Sequence, residues 1–280
     1  MRARQRLPGS AGFSLVELAI VLLVVTLMLS SLLYTLSAQT EQRNFEDTRR
    51  RLEQARELVL AFAIVNGRLP CPARSTSAGA EVRNAAGECK DAANVEDYYG
   101  GALAGGAAGG LLPAVTLGFP TVDAAGFALD AWQNRIRYAV AKTKGNCTPP
   151  PPPAVLLDPH FVNATNLKGN GITCQPSDLL ICKSATGITG TACGGGGANQ
   201  IMSQNLVVAI IFSTGKNTTT TGGTGADEAA NLNGGGNVDP IFVFHTPAPS
   251  GAANGEFDDQ FTWITVGELY GKLIAAGVLP

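Results

Sequence analysis

Residues 18 to 40 carry no charged side chain, and that run constrains the chain more than any other feature. It reads Leu18-Ala-Ile-Val-Leu-Leu-Val-Val-Thr-Leu-Met-Leu-Ser-Ser-Leu-Leu-Tyr-Thr-Leu36, followed by Ser37, Ala38, Gln39 and Thr40. An α-helix of roughly 20 such residues matches a ~30 Å hydrocarbon layer. Helices in soluble cores are seldom apolar on every face for this length. The run by itself therefore predicts a membrane segment. Arg2, Arg4 and Arg6 precede it, and basic flanks favour the cytoplasmic side, which would send the remainder outward. A secretory signal would be shorter and would end in a small-x-small cleavage site; the best such site here, at 35 to 38, is poor. Glu17 sits just inside the run. A carboxylate in lipid is costly, about 2.5 to 3.5 kcal/mol at the centre and less near the edge, so Glu17 calls for a partner.

Past the run the pattern changes without a break. Phe45, Thr48, Leu52, Ala55, Val59 and Phe62 recur at spacings of three and four, one face of a helix, while Glu46, Asp47, Arg49, Arg50, Glu53 and Glu57 take the others. No glycine or proline interrupts residues 13 to 66. Asn66-Gly67 is the expected stop, because glycine takes the left-handed position after a helix end easily. The spacing thus predicts one helix of roughly 80 Å, by the standard rise per residue. Its first half is apolar all round, and its second half must pack on something.

Four later stretches read as strands. Arg135-Ile-Arg-Tyr-Ala-Val-Ala alternates, with Ile136, Tyr138 and Val140 on one face. Residues 206 to 212 and 241 to 244 are continuous apolar runs, and residues 261 to 266 alternate again. Thr265 and Glu268 form a capping-box pattern for a last helix ending near Gly277. The expected fold class is α+β, with the long helix packed on an antiparallel sheet. Residues 73 to 112, 145 to 153, 183 to 199 and 213 to 238 are rich in Gly, Ala, Pro, Thr or Asn and read as long loops.

The six cysteines, Cys71, Cys89, Cys147, Cys174, Cys182 and Cys193, all follow the apolar run and form no CxxC pair. With only His160 and His245 as imidazoles, a zinc cluster is a poor fit. An even count beyond an apparent export signal favours disulfides. Six cysteines allow 15 pairings, left open apart from a preference for near neighbours. A net charge of -2 gives no sign of a nucleic-acid binder. The basic residues that cluster, Arg2, Arg4, Arg6 and Arg49 to Arg51, flank the apolar run, a placement that points to membrane topology rather than phosphate binding. Gly215-Lys216 fails as a phosphate loop, since Ile210 replaces the required glycine and Asn217 the Ser/Thr. No Gly-x-Ser-x-Gly elbow occurs, and neither histidine has an evident triad. An enzyme is not expected. Asp258 and Asp259, with Asp239 or Asp123, are hard-oxygen candidates for calcium, and turn or cap residues before a strand are the plainer reading. Trp132 and Trp263 read as core before surface anchors.

Gly12-Phe13-Ser14-Leu15-Val16-Glu17, behind a short basic leader and ahead of the apolar run, resembles the processing site of type IV prepilins and type II secretion pseudopilins. Arg68-Leu-Pro-Cys-Pro72, Asp130-Ala-Trp-Gln-Asn134 and Phe257-Asp-Asp259 also look pseudopilin-like. The resemblance implies a leader at 1 to 12, a transmembrane and filament-core helix at 13 to 40, an amphipathic continuation at 41 to 66, and an exported α+β head at 67 to 280. It implies cleavage by prepilin peptidase between Gly12 and Phe13 and methylation of the new amine. That amine would pair with Glu17 of a neighbouring subunit. The implied partners are prepilin peptidase, other pilin or pseudopilin subunits and an inner-membrane assembly platform. The implied location is the bacterial inner membrane, single-pass with a periplasmic head, and then the filament. Some members hold calcium in the head, and the large head suggests a minor subunit. A signal-anchored periplasmic binding protein and an exported hydrolase are the alternatives, and pilus, secretion and DNA uptake remain undivided.

Overall fold

The structure, a computed structural model, describes residues 14–102, 108–147, 158–190, 192–218, 225–232 and 239–279. Gly12 and Phe13 lie outside the described residues. The chain divides into two compact units, Met1–Glu46 and Asp47–Pro280. A single helix, α1 (Leu15–Asn66), contributes to both.

In the first unit, Ser14 starts α1 as an N-cap. Its carbonyl accepts the Leu18 N–H at 3.2 Å, and its hydroxyl accepts the Glu17 N–H at 3.2 Å. Such a side chain satisfies one of the donors that a helix start leaves without a partner. The apolar side chains beyond it are exposed, from 42% at Val24 to 85% at Leu15. Thr26 and Ser30 turn their hydroxyls back onto the carbonyls of Leu23 and Thr26, so neither adds a polar face. Two expectations are corrected here. Among the described residues no helix is long and apolar enough to cross a membrane, which overturns the membrane-spanning first half of the helix and the single-pass inner-membrane location. Beyond Gln39 the surface of α1 is polar, with Gln42, Arg43 and Glu46 exposed.

In the second unit the helix turns amphipathic. Thr48, Leu52, Ala55, Val59, Leu60 and Ala63 are buried, while Arg49, Arg50, Glu53 and Glu57 are exposed. Polar contacts flank that seam: Arg51 donates to the carbonyls of Leu129 and Asp130 at 2.9 and 2.7 Å, and Arg56 to Glu268 at 2.6 Å. Gly67, at φ 65°, follows the last turn as expected.

The rest of this unit carries β1 (Gly101–Ala102), β2 (Ala108–Gly109), α2 (Ala114–Leu117), β3 (Arg137–Val140), β4 (Lys144–Cys147) and α3 (Ala164–Asn170). There follow β5 (Cys174–Pro176), β6 (Leu180–Cys182), β7 (Gln200–Met202), β8 (Val207–Ser213), α4 (Ala226–Asn231), β9 (Ile241–Val243), β10 (Gln260–Thr265) and α5 (Val266–Ala275). The core sheet is antiparallel in the order β10-β8-β3, with Ile210 opposite both Trp263 and Ala139. Every residue of β8 is buried, which explains its continuous apolar run. Thr265 caps α5, its hydroxyl accepting the Glu268 N–H at 3.3 Å.

One antiparallel sheet was expected, and that too is corrected. The strands form several small sheets, and in the order β7-β6-β9 the strands β6 and β9 run parallel, Ile181 opposite Phe242. A parallel pair needs a long crossover, and residues 183 to 240 supply it. Disulfides join Cys71 to Cys89, Cys147 to Cys174 and Cys182 to Cys193, each cysteine to its neighbour in sequence. The first and third of these bridges clamp stretches with little apolar material of their own, whereas the second encloses the core residues Phe161, Val162 and Leu167.

Candidate functional site

Among the described residues, one group of three acidic side chains has the geometry to hold a metal ion: Glu228, Asp258 and Asp259, with ligand oxygens within 4.8 Å of one another. Glu228 comes from α4, and the aspartates from the approach to β10. They are 1%, 3% and 3% exposed. Three carboxylates so close and so buried repel one another unless protons or a cation intervene.

Hydrogen bonds fix the cluster from outside. Glu228 accepts both contacts of the Asn217 amide, at 3.2 and 3.0 Å, and the Asp258 N–H at 2.9 Å. Asp259 accepts from Asn231 Nδ2 at 2.7 Å, and Asn231 also pairs with the backbone of Val243 on β9. Asp258 Oδ2 accepts the Lys216 N–H at 3.1 Å, whereas its Oδ1 is buried with no partner among the described residues. Gly215, at φ 61°, leaves room for that oxygen, since a Cβ there would sit 1.6 Å from it. Burial pushes the Asp258 carboxyl up to about 7, with the Glu228 and Glu256 charges adding to the rise. Burial likewise raises Asp259 well above the ordinary carboxylate range, against the Asn231 hydrogen bond. Oxygen donors only, a charge of -3 when ionised and an unpartnered buried oxygen suit a hard divalent cation such as calcium.

The other candidates fall elsewhere. Asp123 pairs with Arg135 at 2.8 Å and accepts the N–H groups of Ala125 and Phe127, closing a turn. Asp239 accepts the Ile241 N–H at the start of β9. Neither joins the cluster. Glu17 is exposed in the first turn of α1. His160 is fully buried, with Nδ1 3.0 Å from Asn170 Nδ2, and His245 lies 3.1 Å from Asp227. Trp263 packs edge-on to Phe244 at 5.7 Å. Asp130 is buried and organises its own motif, accepting the N–H groups of Trp132 and Asn134 and the Ser213 hydroxyl at 2.6 Å. Asp97, also buried, accepts the Gly110 N–H and lies 3.8 Å from the Arg74 guanidinium, and burial raises it to about 6 against that cation.

Sequence reasoning missed Glu228, Asn217 and Asn231, because they lie in a Gly/Thr/Asn tract read as loop. The available signal was Ala226-Asp-Glu-Ala-Ala230, acidic at the front and helix-favouring behind. No protein-family model matches the chain, and no similar curated protein or solved structure was found.

Proposed function

We propose that the chain is a structural subunit of a type IV pilus or type II secretion pseudopilus. In this reading prepilin peptidase cleaves after Gly12, and subunits assemble by packing α1 against α1 of their neighbours. One observation supports it above the rest: α1 opens with apolar side chains exposed from Leu15 to Leu29. Exposed apolar area of that extent marks an interaction surface, and copies of the same helix are the partner of matching chemistry. Glu17 then has a role. In a dry stack of helices its carboxylate needs a counter-ion, and the amine freed at Phe13 of the next subunit is a cation at neutral pH. The Glu228, Asp258 and Asp259 cluster belongs in this reading to the head, where a divalent cation would tie α4 to β10 and fix the surface presented along the filament.

The decisive measurement is mass analysis of the mature N-terminus together with filament incorporation. Methylated Phe13 at the N-terminus is the expected result, with Glu17→Ala cleaved normally but at least tenfold depleted from filaments. An intact leader in cells with active peptidase, or Glu17→Ala incorporated at wild-type levels, would sink the reading.

A further inference from the structure

Beside the edge strand β3 lies a cleft of about 260 Å³, lined in part by Asn134, Arg135, Arg137, Thr214 and Thr218. Successive side chains of an extended chain leave on opposite faces. Ile136 and Tyr138 are buried on one face, so Arg135 and Arg137 share the other. The two arginines differ in what they meet. Arg135 is matched, paired with Asp123 at 2.8 Å and seated 4.1 Å over the Phe127 ring. Arg137 is half-buried and, apart from its backbone pairing in the sheet, its side chain has no hydrogen bond and no ion pair among the described residues. Its guanidinium presents five N–H donors in a rigid fork. A cation in that position is costly to leave unmatched.

A second group in the cleft is also without a partner. Thr214 is 3% exposed, and its hydroxyl makes no hydrogen bond among the described residues, although its carbonyl accepts the Thr218 hydroxyl. Asp259 and Asp97 reach Arg137 only through charge at a distance. Neither forms an ion pair with it. The cleft has the volume of several waters at ~30 Å³ each, enough for one small ion.

We infer that this cleft binds a small tetrahedral oxyanion of the phosphate or sulfate type, held by the Arg137 guanidinium and the Thr214 hydroxyl. An arginine fork takes two oxygens of an anion at once. A carboxylate has no more than two, whereas a tetrahedral anion keeps a further oxygen for Thr214. The inference is independent of the filament reading, since it uses no residue of the first unit.

The test is calorimetric titration of the full-length protein with inorganic phosphate, against sodium chloride at matched ionic strength. Saturable binding is expected, weakened at least tenfold in Arg137→Gln and severalfold in Thr214→Val. Circular dichroism reports whether each variant folds; if Arg137→Gln does not, Arg137→Lys and Thr214→Val decide. Glycerol 3-phosphate binding as tightly as phosphate would indicate an esterified source, and weaker binding a free ion; both uphold the site. No saturable binding beyond chloride, or folded variants that bind like wild type, would overturn it. Acetate binding as tightly as phosphate would overturn the tetrahedral assignment.

Discussion

Asp258 and Asp97 show how burial turns single carboxyl groups into sensors of their surroundings. A hard cation at the three-carboxylate cluster would displace protons from Asp258 and Asp259 and stabilise the fold by mass action. Calcium at 100 times its dissociation constant would add about 2.7 kcal/mol. Thermal unfolding should therefore shift upward with calcium and return with chelator, and Asp258→Asn should remove most of the shift; an unchanged melting temperature would exclude the site. Asp97 makes a separate prediction about pH. Its folded value, about 6, lies above the ordinary 3.8, so the protonated form favours the folded state. The stability it contributes is complete below pH 3.8 and is lost as pH rises through about 6, on the order of 3 kcal/mol by linkage. Urea unfolding from pH 4 to 7 should show that decline, and Asp97→Asn should flatten it. Asp258 and Asp259 were visible in the sequence as an acidic pair. Glu228 was not, because what joins it to them is a tertiary fold-back of α4 that no local spacing records.

At the scale of elements, periodicity is informative wherever burial is one-sided or complete. Leu52, Ala55 and Val59 follow the helical three-and-four spacing because one face of α1 meets the core. The even burial of β8 reads as an uninterrupted apolar run. Gly67 and Thr265 mark their helix ends by their own backbone and side-chain chemistry. Short elements were not legible: β4 to β7 hold three or four residues each, too few for a period, and their places are set by cross-links and long-range pairing. Two stability predictions belong here. Leu52→Ala should destabilise the second unit by about 2 to 5 kcal/mol, since it empties a filled core position. Replacing Cys71 and Cys89 together by alanine should remove about 3 kcal/mol, because the loop they close carries little apolar area to hold it otherwise. Chemical denaturation of each variant measures both, and a loss below about 1 kcal/mol would contradict the burial or the clamp.

For the whole molecule, the division at Glu46 and Asp47 separates a helix that exposes apolar side chains from a unit with its own core. Residues 47 to 280 should accordingly fold and remain monomeric by light scattering, while the full chain self-associates in dilute buffer. Equal behaviour of the two would leave the exposed face of α1 without a consequence. The parallel pairing of β6 with β9 bears on synthesis. Leu180, Ile181 and Cys182 meet Ile241, Phe242 and Val243 only after the chain between them has left the ribosome. Through that interval β6 presents one unpaired rim, and closing so distant a contact is slow. A ribosome stalled anywhere between those two strands would therefore release a polypeptide with a raw, adhesive flank, suited to capture by a chaperone or a protease.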